Sequence, residues 1–277
     1  MLKHDIYEGG FEDWVVFLHG IGGKNTTFQN QIADFSKEYN LILIELPWHN
    51  ASPFKYEDLT PQTISDEIKE VLDYNDIESA HFVALSLGTI VLSHFSTIYP
   101  EYIKSMVLTS SVIEVSLLLR CLVTLVFPFK WILPYKLVYN LCVFAVAPQK
   151  QYKDARKMFI EEFDKIPRRK IISWVDYMKH VMYPKRTIEK MHKLFNNKIY
   201  FISGSNDKIF LNGSKITAQK LANGKIDILD KCCHICNLDG YELYNKKVLS
   251  FLKKYKTDNL SKIRIDIKKK LWYNYPK

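Results

Sequence analysis

Residues 80–100, AHFVALSLGTIVLSHFSTIYP, decide the fold of this chain. Residues 81–85 are an apolar run of strand length, and from Leu87 onward apolar residues recur at the three-and-four spacing of a buried helix face. Pro100 ends that pattern, because the residue before a proline is pushed out of the helical conformation. The sequence therefore predicts a strand that turns directly into a helix at Ser86.

The predicted turn is the pentapeptide Ala84-Leu85-Ser86-Leu87-Gly88, which has a small residue two positions on either side of the serine. Such a turn strains the serine backbone and exposes its hydroxyl, and the small residues let the strand and helix backbones pass closely. The helix also directs its N-terminal amides at this point, which favours negative charge there. Since alanine replaces the usual first glycine, an ordinary βα turn remains an alternative for the pentapeptide taken alone.

The other strands predicted from apolar runs indicate how this turn is embedded. Apolar runs at residues 14–18, 41–46, 102–109, 197–203 and 225–229 alternate with helical patterns. Continuous apolar strands separated by helices are typical of a parallel sheet that is covered on both faces. The prediction is an α/β protein with a mostly parallel, doubly wound sheet.

Composition limits the size and setting of the protein. A chain of 277 residues with 47% hydrophobic residues can bury one large core, so one domain with an insertion is expected. The first residues lack the apolar core of a signal peptide, and an odd count of five cysteines favours reduced thiols. We therefore expect a cytoplasmic location. Most of the net charge of +9 belongs to the last 25 residues, and no nucleic-acid recognition module accompanies it.

The turn after the first long strand, His19-Gly20-Ile21-Gly22-Gly23, has two possible uses. Glycine-rich turns after strands often hold phosphate, but the spacing here does not match the G-x-G-x-x-G pattern of dinucleotide sites. The other use is to direct a backbone N–H at a developing oxyanion. His19 is expected to brace the turn rather than to act as a base.

The sequence resembles the α/β-hydrolase family over residues 14–252, apart from the middle insertion. The matching pieces are His19-Gly20-Ile21-Gly22-Gly23, Glu45-Leu46-Pro47-Trp48-His49-Asn50-Ala51-Ser52, the Ser86 pentapeptide, Gly204-Ser205-Asn206-Asp207 and the segment around His234. The second piece resembles D-x-P-G-x-G-x-S, from which Glu45 and Trp48 depart. Thr89 stands where the family often has a further glycine.

The resemblance implies a serine hydrolase with the chain order Ser86, Asp207, His234. His234 would be the base for the Ser86 hydroxyl, and Asp207 would orient its imidazole. Glu114 is the rival acid, and Asp207 is favoured because it follows a strand directly.

The resemblance also implies that the backbone N–H groups of Ile21 and Leu87 form an oxyanion hole. Gly20 and His49 are expected to border the substrate. No cofactor is implied. Cys232, Cys233, His234 and Cys236 could suggest a metal site, but zinc ligands usually come in two separated pairs and no second pair is present. Whether these cysteines are redox-active stays open.

The sequence divides into four regions: a first core part at residues 1–112, a helical apolar insertion at 113–186, a second core part at 187–254 and a basic tail at 255–277. Residues 116–148 are strongly apolar, but Arg120, Pro128 and Lys130 are among the residues that interrupt them. Short helices forming a lid over Ser86 are therefore favoured over a membrane span. The apolar surplus also suits homodimer formation or peripheral membrane contact through the lid or the tail.

The predicted function is hydrolysis of a carboxylic ester, of a lipophilic kind because the lid is apolar, through an acyl-enzyme. The same three residues also serve thioesterases, acyltransferases, lactonases and amidases, because fold and triad do not fix the substrate. A non-catalytic receptor or a membrane-associated interaction module is the alternative of a different class.

Overall fold

The computed structural model describes residues 1–178, 184–195, 198–222 and 225–257. The strands of the described chain are β1 His4–Tyr7, β2 Trp14–Leu18, β3 Asn40–Ile44, β4 Ala80–Leu85, β5 Ile103–Thr109, β6 Ile199–Gly204 and β7 Ile226–Leu229. They form one sheet in the order β1-β3-β2-β4-β5-β6-β7. β1 is antiparallel to β3 and all other neighbours are parallel. The predicted α/β class and mostly parallel sheet are confirmed.

Helices connect consecutive parallel strands. The α-helices are α1 Gln29–Phe35, α2 Pro61–Tyr74, α3 Leu87–Ile98, α4 Leu117–Val126, α5 Tyr135–Val146, α6 Lys153–Lys165, α7 Arg168–Tyr177, α8 Lys185–Leu194, α9 Leu211–Leu221, α10 Cys236–Asp239 and α11 Tyr241–Leu252. Short 3-10 turns occupy Asn25–Phe28, His49–Ala51, Pro100–Tyr102, Phe127–Phe129, Lys150–Tyr152 and Lys253–Tyr255.

The strands are apolar on both sides because both faces of the sheet are covered. In β2, Val16 and Leu18 belong to one core, which α2, α3, α8 and α9 complete. Val15 and Phe17 point to the opposite core, which α1, α11, α5 and α6 complete. The near-continuous apolar runs in the sequence follow directly from this two-sided burial.

The helical segment between β2 and β3 is short. A 3-10 turn at Asn25–Phe28 precedes α1, which ends at Phe35. The Asn25 N–H donates to the Glu45 carboxylate at 3.0 Å, so a side chain from another loop fixes the start of the segment. Periodicity alone carries no trace of that tertiary contact.

The helices α4 to α8 lie between β5 and β6. The division of the chain into four regions, with an insertion at 113–186, stays a prediction. The action of the insertion as a lid stays a prediction as well. None of the described helices is long and apolar enough to cross a membrane. The predicted basic tail lies outside the described residues from position 258 onward, and its role also stays a prediction.

Candidate active site

Ser86 occupies the sharp turn between β4 and α3. Its backbone has φ 52° and ψ −119°, a conformation that a non-glycine residue adopts only when its surroundings enforce it. The Ser86 N–H donates to the carbonyl oxygen of Thr109 at 3.1 Å, which ties the turn to the end of β5. The serine is half-buried, so its side chain keeps access to the surface.

Close packing around this turn explains its small residues. A Cβ built on Gly88 would lie 2.8 Å from the His19 carbonyl oxygen and closer still to that of Leu18. A Cβ on Gly20 would lie 3.1 Å from the Ser86 Cβ. Gly20 therefore lies directly against the serine, and its contact with substrate stays a prediction.

Asp207 and His234 form a buried pair. The His234 Nδ1–H donates to Asp207 Oδ2 at 2.6 Å, and the Phe210 N–H donates to Asp207 Oδ1 at 3.0 Å. Burial alone would raise the pKa of Asp207, but the neighbouring His234 and the backbone N–H groups of Phe210 and Ile209 bring it below its ordinary value. An ionised Asp207 is therefore available to hold the imidazole with its Nε2 directed away from the carboxylate.

The loops after β6 and β7 are packed tightly enough to fix this pair. The Asn206 N–H donates to the Cys232 carbonyl oxygen at 2.8 Å. A Cβ on Gly204 would overlap the carbonyl oxygens of Cys232 and Cys233. Glycine is needed at position 204 because the two chain segments pass in backbone contact.

Residues at the end of β5 form hydrogen bonds with the backbones of both Ser86 and His234. Thr109 accepts the Ser86 N–H, and the hydroxyl of the next residue, Ser110, donates to the His234 carbonyl oxygen at 2.6 Å. Among the described residues, the hydrogen bonds do not include a direct one from Ser86 Oγ to the His234 imidazole. Such bonds are often long in ligand-free enzymes and tighten when substrate binds.

Leu87 follows Ser86 in the chain, and Ile21 follows Gly20, which lies against the serine. Leu87 is the first residue of α3, where an N–H has no partner within the helix. In the turn at residues 19–23, the Gly22 and Gly23 N–H groups donate to His49 and Gly20, while no hydrogen bond of the described chain uses the Ile21 N–H. Ile21 and Leu87 thus stay the predicted oxyanion donors.

His49 lies beneath the 19–23 turn rather than in an open groove. Its Nδ1–H donates to the Pro47 carbonyl oxygen at 3.0 Å, and its Nε2 accepts the Gly22 N–H at 3.0 Å. Complete burial, together with the nearby His19, lowers its pKa to about 3, so the ring is neutral. Neither ring nitrogen is free for a substrate, and the imidazole instead supports the turn.

His19 and Glu45 form a second buried pair under the same turn. The His19 Nδ1–H donates to the Gly20 carbonyl oxygen at 2.8 Å. Its Nε2 accepts the Leu46 N–H at 3.0 Å and lies 3.2 Å from Glu45 Oε2. Burial would raise the pKa of Glu45, but His19 and the hydrogen bonds from Asn25 and Asn50 bring it below its ordinary value. The expected bracing role of His19 agrees with this geometry.

Tyr139 is a site neighbour that sequence reasoning did not identify. It lies on α5 of the insertion, and its hydroxyl donates to the Ile21 carbonyl oxygen at 2.8 Å. Its ring stacks on Phe163 with centroids 3.8 Å apart. Tyr135, Tyr139 and Val143 form the buried stripe of α5. The tyrosine hydroxyls on this otherwise apolar stripe are the sequence feature that could have indicated a polar contact.

The remaining candidates are Glu114 and the three cysteines near His234. Glu114, the rival acid, accepts from Lys220 at 2.6 Å instead of pairing with His234. Cys232, Cys233 and Cys236 are buried free thiols, and burial raises the pKa of Cys233 to about 12. Within the described residues, no group of three His, Cys, Asp or Glu side chains is arranged to hold a metal ion.

A parallel sheet with a strained serine after its central strand and a His–Asp pair after its last strands defines the α/β-hydrolase architecture. A family model described as alpha/beta hydrolase fold matches residues 13–133. Among solved structures, the enol-lactonase of Burkholderia xenovorans superimposes over 91% of this chain and 96% of its own, with a TM-score of 0.72 and 16% sequence identity. The chain therefore has the α/β-hydrolase fold, and residues 13–133 match the family model.

Two curated relatives match a shorter stretch. One is the dihydrolipoyllysine-residue acetyltransferase component of the acetoin cleaving system of Cupriavidus necator, 27% identical over 38% of this chain and 28% of that protein. The other is the (E)-2-((N-methylformamido)methylene)succinate hydrolase of Acinetobacter baylyi, 26% identical over 38% of this chain and 40% of that protein. The chain thus matches less than half the length of either relative.

Proposed function

We propose that the protein is a serine hydrolase that cleaves a carboxylic ester through an acyl-enzyme. The observation that carries this proposal is the 2.6 Å pairing of His234 with the buried Asp207, at the same edge of the sheet as the strained Ser86. A strained serine and a carboxylate-oriented imidazole have a common use only if the hydroxyl is to be activated.

The proposed reaction follows from these roles. His234 Nε2 removes the Ser86 proton while Oγ attacks the ester carbonyl carbon, and the carbonyl oxygen becomes an oxyanion bound by the Ile21 and Leu87 N–H groups. His234 then returns the proton to the departing alkoxide, which leaves as an alcohol. A water molecule, deprotonated by His234, attacks the acyl-enzyme carbonyl. The carboxylic acid is released and His234 returns the proton to Ser86 Oγ.

An apolar acyl or alcohol group is proposed for the substrate. The insertion brings Tyr139 and Phe163 to the side of the 19–23 turn, and the Phe210 ring lies 4.9 Å from that of His234. Apolar side chains next to the reacting atoms favour apolar ligands and exclude water. The enol-lactonase whose fold this chain shares opens a cyclic ester, which belongs to the same bond class.

A fluorophosphonate probe tests the nucleophile. Labelling of the wild-type protein and its loss in the Ser86→Ala variant are expected, because the probe reacts only with an activated serine hydroxyl. Labelling that persists in Ser86→Ala would contradict the assignment. Absence of labelling in the wild type would favour the non-catalytic receptor instead.

A series of p-nitrophenyl esters of increasing chain length tests the substrate class. We expect kcat/KM to rise from acetate to longer acyl chains. The His234→Ala variant should lose turnover, whereas His192→Ala, which removes an exposed imidazole on α8, serves as the matched control. A clear preference for acetate would contradict the apolar pocket.

Acyl transfer is the second candidate, because one matched relative is an acetyltransferase component. The same acyl-enzyme would then be captured by an alcohol or thiol rather than by water. Product analysis with added acceptors distinguishes the two reactions, since a transferase yields the new ester or thioester as the main product.

A further inference from the structure

Helix α5 of the insertion has two faces of different character. The inner face, with Tyr135, Tyr139 and Val143, is buried against the core. The outer face is apolar as well, although it is exposed: Leu141, for example, keeps 63% of its surface accessible. An apolar stripe on the solvent side of a helix is unexplained by folding alone.

The turn that leads into α5 continues this outer face. Trp131 is 62% exposed and Ile132 is 76% exposed. The Arg168 guanidinium donates to the Trp131 and Leu133 carbonyl oxygens at 2.6 and 2.8 Å, which fixes the turn. We call the following residues the outer apolar face: Phe129, Trp131, Ile132, Leu137, Val138, Leu141 and Phe144.

The charges around the outer apolar face are mainly positive. Residues 116–149 contain the cations Arg120, Lys130 and Lys136 and no carboxylate. Two carboxylates from neighbouring helices reach this region, since Lys130 pairs with Asp176 at 2.6 Å and Lys136 with Asp164 at 3.5 Å. The exposed Arg168 and Arg169 at the start of α7 add positive charge at the same end of α5.

We propose that the outer apolar face binds peripherally to the surface of an anionic phospholipid bilayer. Exposed Trp, Phe and Leu side chains enter the headgroup and acyl boundary, and adjacent Lys and Arg side chains are attracted to anionic headgroups. A second copy of this chain fits less well, because a symmetric contact would bring the two positive rims together. None of the described helices can span the bilayer, so the contact is a surface one.

Cosedimentation with vesicles tests the proposal. The full chain should bind vesicles that contain phosphatidylserine more strongly than vesicles of phosphatidylcholine alone, and added NaCl should weaken the binding. The Leu137→Ser/Leu141→Ser double variant should reduce the partition coefficient by about tenfold or more, because it removes buried apolar surface at the boundary.

Matched variants make the result specific. Leu243→Ser changes a leucine on α11 that is also exposed, at 48%, and should bind like the wild type. Arg169→Gln should weaken binding to anionic vesicles by about fivefold, with little change on phosphatidylcholine vesicles. Circular dichroism should show that each variant keeps its fold.

The outcomes that overturn the proposal are equally defined. Equal loss of binding in Leu243→Ser, or binding by the double variant at wild-type strength, would show that another surface is responsible. A wild-type dimer in light scattering that the double variant loses, with no vesicle binding, would assign this face to a second copy. The Ser86→Ala variant should bind vesicles normally, so the test is independent of the proposed hydrolysis.

Discussion

The hydroxyl of Tyr139 holds the carbonyl oxygen of Ile21, whose N–H is a proposed oxyanion donor. A peptide plane whose carbonyl is fixed also fixes the N–H of the next residue, and the conformation of the whole turn follows. The hydroxyl therefore positions the turn from the insertion side, while His49 and His19 support it from below.

Removing that hydroxyl should affect turnover more than binding. For Tyr139→Phe we expect kcat on the best ester to fall by about fivefold, the factor that corresponds to one net hydrogen bond of about 1 kcal/mol, with KM nearly unchanged. The control is Tyr135→Phe, because the Tyr135 hydroxyl donates to Lys130 within the insertion. Equal losses in the two variants would mean that the insertion is merely destabilised.

Asp207 should be the residue that fixes the tautomer of His234. In Asp207→Asn the amide can donate to Nδ1, which places the imidazole proton on Nε2 and removes the acceptor for the Ser86 proton. We expect kcat to fall by about 10³–10⁴-fold while the fold persists. Asp227→Asn is the comparison, because it changes a carboxylate on β7 that pairs with Lys247 at 3.0 Å. A loss below tenfold in Asp207→Asn would contradict the assigned role.

At the scale of elements, the turn from β4 into α3 depends on glycine at position 88. Gly88→Ala should lower the free energy of unfolding by about 3 kcal/mol, because the new Cβ meets the backbone carbonyls of Leu18 and His19, which cannot move aside cheaply. Activity should fall as well, since α3 carries the Leu87 N–H. Urea unfolding and ester turnover measure the two effects.

The comparison variant for this element is Gly10→Ala. Position 10 has φ +75° and open space around it, so the cost is conformational, about 1 kcal/mol, and activity should remain. If the two variants behave alike in both assays, close packing at Gly88 is not what restricts this turn.

The strands, the Ser86 turn and α3 were predictable because their signals are local. Apolar runs mark strands buried on both faces, and Tyr99-Pro100 marks the end of α3 one residue after Ile98. Asp207 and His234 were implied by the resemblance, and their positions just after strands support it, since parallel strands bring their carboxyl ends to one edge of the sheet. In the structure a hydrogen bond of 2.6 Å joins these two side chains, and their catalytic roles stay a prediction.

The contacts that complete the site were not predictable, because they join distant parts of the chain. Ser110 and His234 are 124 positions apart, and Tyr139 and Ile21 are 118 apart. The local sequence around Tyr139 or Ser110 does not indicate which distant carbonyl oxygen its hydroxyl contacts. The same limit applies to His49, whose loop position suggested a substrate contact although its ring lies buried under the turn.

At the scale of the whole molecule, buried neutral imidazoles link stability to pH. His81 on β4 is fully buried, with its Nδ1 2.8 Å from the Ser105 hydroxyl. Burial, with Lys104 and Lys256 acting in the same direction and Asp13 opposing, lowers its pKa to about 4. His49 behaves in the same way, with a pKa of about 3. An unfolded chain leaves both rings at their ordinary pKa near ~6.5.

The free energy of unfolding should therefore fall as the pH drops from about 6.5 toward 4. In this window the unfolded chain binds a proton at each imidazole and the folded chain does not, so acid favours unfolding by up to about 1.4 kcal/mol per pH unit for each ring. Carboxylates such as Asp207, whose pKa is lowered on folding, act in a separate window. Their stabilisation is complete above the unfolded value near ~4 and is lost only as the pH falls further.

Urea unfolding at a series of pH values separates these contributions. Replacing His81 by Gln should remove its share of the slope between pH ~6.5 and ~4, because a neutral amide binds no proton in either state. His192→Gln, at an exposed position on α8, should leave the slope unchanged. A wild-type stability that stays flat down to pH ~4 would mean that water reaches His81 and His49, and that the core around each ring is less tightly packed than its burial indicates.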